Sequence, residues 1–266
     1  LADDRGREIS LAKPASRIVS LAPHLTELLF AAGAGDKIAG VSRHSDYPQE
    51  AKKIPQVGDA YQVDSELMVA LNPDLVVAWK SGNPRSEIVK LENLGFKVFV
   101  TEPAKLADIS RLLKTFGLLA GTQAFAEQAA QDFDREVSRL QAGYASRQKV
   151  TVFYQIWERP LMTVNGRHMI SDVIRLCGGE NQFADLDVLS AQVSMESVLA
   201  RDPQVVIDGS SLGKSDWRDW RRFPELAAVA NGNLYHVSPD LLHRSSPRIL
   251  EGAKRVCEVL EEARRK

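Results

Sequence analysis

Three features of the sequence predict two α/β lobes, each built on a mainly parallel sheet and joined by a long rigid helix. Short β-branched runs alternate with helical stretches through both halves of the chain. Between them, residues 106–147 lose the strand signal and keep only helical spacing. A pattern at residues 64–77 also returns at 194–207.

The elements follow in order. Arg17–Leu21 is a buried strand, and Leu25–Ala32 is an apolar helix that stops at Gly33. Lys37–Ser42 is a second strand, Ser65–Leu71 a helix and Leu75–Trp79 a strand. Ser86–Leu94 is a helix closed by Gly95, and Lys97–Val100 a strand. Leu106, Ile109, Leu113, Phe116 and Leu119 then mark a helix running to Gly121, after which residues 123–144, rich in Ala, Glu, Gln and Arg, form a second one. At 1.5 Å per residue that helix is roughly 33 Å long, enough to cross from one lobe to another. It has no Gly/Ser-rich flexible joint, so large hinge motion is not expected.

Alternation resumes with the strand Lys149–Ile156, the segment Leu161–Val164, and the helix Ile170–Cys177 ended by Gly178-Gly179. Met195–Ala200 is helical, Gln204–Asp208 a strand, Trp220–Val229 a helical stretch, Leu234–Val237 a strand and 247–264 the last helix. The expected division is a first lobe at 1–105, connecting helices at 106–147 and a second lobe at 148–266.

In the repeat, Asp64 and Ser194 cap a short helix, Glu66 and Glu196 follow in its first turn, and Pro73 and Pro203 mark the turn into a buried strand. Capping and dipole effects alone explain much of this, but the match continues into the strand. It predicts related lobes facing each other across a cleft, where ligands are usually held.

Composition narrows the function. The chain has 266 residues, 44 % of them hydrophobic, which is enough to bury a core without staples. A formal net charge of −1, with both signs spread along the chain, argues against nucleic-acid and anionic-membrane partners. No apolar run approaches the ~20 residues of a membrane span, and no signal-peptide pattern precedes Leu1, as expected of a soluble chain that is either cytosolic or already processed. The two cysteines, Cys177 and Cys257, have no neighbouring Cys or His at zinc-ligand spacing. Spacing alone leaves two buried thiols and one disulfide equally open.

An enzyme has one sequence feature in its favour. Gly209-Ser210-Ser211-Leu212-Gly213 fits the nucleophile elbow of a serine hydrolase, with Asp240 and His243 in the matching order. An elbow needs a helix directly after Ser211, whereas Gly213-Lys214-Ser215-Asp216 has the composition of a loop. A Gly/Ser loop is the better account, and no phosphate loop or dinucleotide fingerprint occurs.

Five segments carry a resemblance. Arg17–Pro23 with Thr26-Glu27, then Ser45–Pro48, Asn72–Val76, Cys177–Asn181 and Ser246–Arg248 resemble the helical-backbone substrate-binding proteins of cobalamin, haem and ferric-siderophore ABC importers. Cys-Gly-Gly-Glu-Asn at 177–181, the late Cys257, and Ala78-Trp79 followed by Gly82-Asn83 are most similar to the cobalamin-binding members. The resemblance implies two Rossmann-like lobes, a Cys177–Cys257 disulfide, a periplasmic location and a monomer that delivers a corrinoid to a permease dimer. Haem or a ferric siderophore is the alternative cargo. Catalysis and a resident cofactor are not implied.

By the same resemblance, Trp79 lines the cleft, Asp240 and Arg244 bond the ligand's polar rim, and Glu66 and Glu196 dock to the permease. His44 and Tyr61 replace a family Tyr and Trp, and Ser190 replaces another Trp. Position adds Trp157, Leu241, Leu242 and His243. His44 and His243 are candidates for an axial ligand to a ligand-borne metal, since neutral imidazole ligates cobalt or iron. Without the resemblance, Trp79 would be assigned to strand-end packing and Asp240–Arg244 to a solvated ion pair.

Overall fold

The computed structural model describes residues 1–144, 146–210 and 215–266. The strands are β1 (Ile18–Ser20), β2 (Ile38–Val41), β3 (Leu75–Trp79), β4 (Val98–Thr101), β5 (Val150–Gln155), β6 (Met162–Val164), β7 (Gly179–Asn181), β8 (Ser190–Gln192), β9 (Val205–Asp208) and β10 (Leu234–His236). The helices are α1 (Pro23–Ala31), α2 (Ser65–Leu71), α3 (Arg85–Asn93), α4 (Leu106–Ala120), α5 (Gln123–Tyr144), α6 (Met169–Leu176), α7 (Met195–Arg201), α8 (Ala227–Ala230), α9 (Pro239–Leu242) and α10 (Ile249–Arg264). None among the described residues is long and apolar enough to cross a membrane.

The chain divides into two compact units. One comprises Leu1–Pro103 and Ala107–Asp134, the other Ala104–Leu106 and Arg135–Lys266, so the division falls inside α5. The first unit holds the parallel sheet β2-β1-β3-β4. β1 and β3 are buried along almost their whole length, as expected of strands covered on both faces. Val19, Met68, Val76, Leu91 and Val100 share one core cluster there.

The second unit repeats this topology. Its parallel sheet is β7-β5-β9-β10, the same order with β5 in place of β1 and β9 in place of β3, and β6 and β8 form a separate antiparallel pair. Phe153, Phe183, Val206 and Trp220 form its core cluster.

The sequence repeat is a structural repeat down to single backbone angles. Asp64 accepts the Leu67 N–H at 3.0 Å, and Ser194 accepts the Ser197 N–H at 3.2 Å. Both short helices end on a left-handed residue, Asn72 (φ 44°, ψ 60°) and Asp202 (φ 42°, ψ 63°), types that tolerate this conformation better than most. Two residues on, Asp74 accepts from the Ser16 and Arg17 N–H groups, and Gln204 accepts from the Thr151 N–H, each tying the turn to the start of the neighbouring strand.

Two expected elements differ. Trp220–Val229 is not one helical stretch but a single turn at Trp220–Arg222 followed by α8. Pro224 disfavours helical geometry at Phe223, which sits at φ −120°, ψ 72°. The segment after β10 is not a plain loop: α9 makes one turn, with Pro239 in its first positions and Asp240 in its first turn. Cys177, the C-cap of α6, is disulfide-bonded to Cys257 in α10, and both are buried. This settles the alternative that spacing left open and ties the last helix to the sheet's flank.

Candidate functional site

Open parallel sheets hold ligands at the carboxyl ends of their strands, where the following loops diverge. Most of the nominated positions lie there. His44 and Tyr61 follow β2, Trp79 ends β3, Trp157 follows β5, and Asp240 to Arg244 follow β10.

In the first unit the end of β3 is held by Asn83. This buried amide accepts the Trp79 N–H at 2.8 Å and donates to the carbonyls of Leu21 (3.0 Å) and Ala60 (3.3 Å). One side chain thus ties the end of β3 to the end of β1 and to the loop that carries Tyr61. The Trp79 ring lies over Gly82, where a Cβ would come within 1.8 Å of the ring atom Cε3, so only glycine lets the indole lie there. His24 meets the indole edge-on, with centroids 5.1 Å apart and planes at 85°. Tyr61 is 77 % exposed, and its turn is set by Asp59, which accepts the Tyr61 and Gln62 N–H groups. His44 is exposed in the left-handed region (φ 66°).

In the second unit a polar network closes the ends of β5 and β9. The buried Asp208 carboxylate accepts from Gln155 Nε2 (3.0 Å), from the Ser210 N–H (2.9 Å) and hydroxyl (2.6 Å), and from the Ser215 hydroxyl. Trp220 Nε1 donates to Gln155 Oε1 at 3.0 Å. Trp157 is 55 % exposed and donates from Nε1 to the Arg159 carbonyl. Asp240 pairs with Arg244 at 3.0 Å; the carboxylate is 42 % exposed and the guanidinium 14 %.

Two nominations change. Leu242 is 1 % exposed and packs against α10 at Gly252, so its side chain offers a ligand nothing. His243 Nε2 lies 3.0 Å from the Tyr154 hydroxyl. Burial pushes that phenol well above its ordinary range, so it keeps its proton, and burial lowers His243 to about 4, so the imidazole is neutral. Nε2 is therefore engaged by the hydroxyl, and a metal at Nε2 would have to displace that hydrogen bond. His168, also lowered to about 4 by burial and by His243, accepts the Ile170 N–H at Nδ1. Tyr154, His168 and Asn83 are structural supports that had no distinct signal in the sequence, although Asn83 stands in a quoted motif.

Ser190 lies exposed in β8. Glu66 and Glu196 are exposed at equivalent first-turn positions of α2 and α7. Ser211 and the elbow residues Leu212 and Gly213 lie outside the described residues. Among the described residues no three His, Cys, Asp or Glu side chains converge to hold a metal ion.

A family model described as periplasmic binding protein matches residues 18–241, spanning both sheets. The chain belongs to the periplasmic binding protein family. It is 38 % identical over 256 residues to the vitamin B12-binding protein of Vibrio parahaemolyticus, covering 96 % of this chain and 92 % of that one. The crystal structure of the periplasmic vitamin B12-binding protein of Vibrio cholerae superposes with a TM-score of 0.88 at 38 % identity, covering 95 % and 99 % of the two chains. A periplasmic haem-binding protein from Roseiflexus shares the fold, with a TM-score of 0.80 at 20 % identity. Membership of a binding-protein family decides between binding and hydrolysis in favour of binding.

Proposed function

We propose that this protein captures a corrinoid in the periplasm and, as a monomer, delivers it to the permease dimer of an ABC importer. The observation that carries this is the likeness, over more than nine-tenths of both chains, to proteins that bind vitamin B12. The chemistry at the strand ends supports it. A corrinoid is a broad, partly apolar disc with an amide-rich rim. Trp79, Tyr61 and Trp157 supply aromatic surface, and Asp240, Arg244 and His44 supply polar groups for the rim, with Leu241 beside them. His243 and Leu242 belong to the support beneath.

The docking role falls to Glu66 and Glu196. They are exposed carboxylates related by the repeat, and paired anions suit orientation on a permease dimer with arginines at matching places.

The test is a titration of purified protein with cyanocobalamin, haemin and ferric siderophores, followed by calorimetry. Cyanocobalamin should bind most tightly, and Trp79→Ala should weaken it by tenfold or more. Preference for haemin or a siderophore would overturn the corrinoid assignment, and an unchanged affinity in Trp79→Ala would remove that residue from the site.

A further inference from the structure

We propose that the Tyr154 hydroxyl, by holding the His243 imidazole, positions the α9 segment that carries Asp240 and Arg244. This rests on the corrinoid reading for its consequence, but the latch itself is a property of the ligand-free protein.

The two groups are 89 residues apart in sequence and 3.0 Å apart in space. Tyr154 is fully buried in β5, so the hydroxyl is a fixed point of the sheet. The contact depends on a gap at position 209. A Cβ on Gly209 would lie 1.9 Å from the Tyr154 oxygen and 3.2 Å from His243 Nε2. Glycine there leaves room for the hydroxyl and its partner. Carried forward from 77/207, the repeat matches Gly209 to Trp79, so the lobes diverge at this point: one strand ends in an indole, the other in a vacancy filled by a phenol.

His243 transmits the constraint. Its backbone N–H donates to the Pro239 carbonyl at 2.8 Å, closing the single turn of α9, so a fixed imidazole fixes the turn. Asp240 lies within that turn and pairs with Arg244, the residue after the imidazole. From the other side α10 runs close against α9, with a Cβ on Gly252 reaching 2.7 Å from both the Leu241 carbonyl and Leu242 Cδ2. An isolated four-residue helix has almost no stability of its own, so such external holds decide its geometry. Among the described residues the Tyr154 hydroxyl has His243 as its one side-chain partner, so the latch assigns its proton to Nε2, which puts the imidazole proton on Nδ1. Two neutral partners in a part-buried setting hold a fixed geometry without the desolvation penalty of an ion pair.

The variant Tyr154→Phe removes the oxygen and keeps the ring. In ligand-free protein, ¹⁵N spectra should show wild-type His243 protonated on Nδ1, and the variant should lose that single tautomer. Amide exchange at residues 240–244 should accelerate at least tenfold, with β5 and β9 unchanged. Cyanocobalamin affinity should fall about tenfold, mainly through faster dissociation. His243→Gln places an amide oxygen near the Nε2 position and should retain affinity within about threefold of wild type, whereas His243→Leu should match Tyr154→Phe. Unchanged exchange at 240–244 in Tyr154→Phe overturns the latch, as does faster exchange spread evenly over the unit. If Tyr154→Phe fails to fold, the two His243 variants decide: equal affinity for Gln and Leu overturns the proposal. Should wild-type protein bind no cyanocobalamin, the corrinoid reading fails while exchange and tautomer still judge the latch.

Discussion

Acidification from pH 7 to pH 5 should destabilise this protein through two imidazoles. His168 and His243 titrate near 4 in the folded chain, against 6.5 for an ordinary histidine. The unfolded chain therefore binds more protons between those values, so their contribution is fully present above pH 6.5 and is lost as pH falls toward 4. At pH 5 an ordinary imidazole gains about 2 kcal/mol from its proton while one at 4 gains about 0.1, so the pair loses about 2–4 kcal/mol, the lower figure allowing for solvent access to both rings. The groups facing His243 set the sign. Burial disfavours its charged form and outweighs the attraction of Asp240 and Asp208. Carboxylates act in a different window. Despite partial burial, N–H donors hold Asp3 and Asp74 below their ordinary value, so their contribution is lost only below about pH 4. The assay is urea unfolding at pH 5, 6 and 7, read by circular dichroism, for wild type and for His168→Gln combined with His243→Gln. The double variant should lose most of the pH dependence between 7 and 5. A double variant whose stability falls as steeply as wild type would refute the argument, as would an NMR titration placing either folded imidazole above pH 6.

Gly82→Ala places a Cβ where the Trp79 ring lies, so it should weaken cyanocobalamin binding about as much as Trp79→Ala while leaving the melting temperature within a few degrees; calorimetry and thermal unfolding check this. Reducing the Cys177–Cys257 bridge, which spans 80 residues, should lower unfolding free energy by about 4 kcal/mol in the chain-entropy relation, measured by denaturant titration with and without reductant. Glu66→Gln with Glu196→Gln should leave ligand affinity unchanged and cut ligand-dependent transport in vesicles carrying the cognate importer several-fold; unaffected transport would leave both carboxylates with only their helix-dipole role.

What was legible in the sequence is what local chemistry dictates. Ser65–Leu71 and Leu75–Trp79 have the predicted ends, because an Asp cap, a short apolar run and an Asn-Pro turn each act over three or four residues. The 123–144 helix likewise runs between its predicted ends. α9 escaped because four residues are too few for periodicity, and β7 and β8 because three-residue strands take their pairing from partners distant in sequence. At the proposed site, strand-end position and resemblance nominate Trp79, Asp240 and Arg244. The support beneath them was illegible: Asn83 reaches Leu21 across 62 residues and Tyr154 reaches His243 across 89, and no pattern in a single sequence encodes such a meeting. Position in a segment places Leu242 and His243 among the candidates but says nothing about which way a side chain turns; Leu242 is buried and His243 meets Tyr154.

The repeat explains why the two strand ends needed different supports. Both units use the same capped helix, left-handed residue and Pro-marked turn to deliver a buried strand from the same place in the same sheet order. Divergence begins where burial ends. At 78 and 79 the first unit continues with Ala and Trp, and a glycine at 82 and an amide at 83 let a large ring lie flat against the backbone. At 208 and 209 the second unit has Asp and Gly: the carboxylate collects Gln155, Ser210 and Ser215, and the missing side chain admits the Tyr154 hydroxyl. An apolar platform and a polar, tautomer-fixed support are different answers to one geometric problem. The two strand ends thus present different chemistry, where two identical ends would present the same chemistry twice.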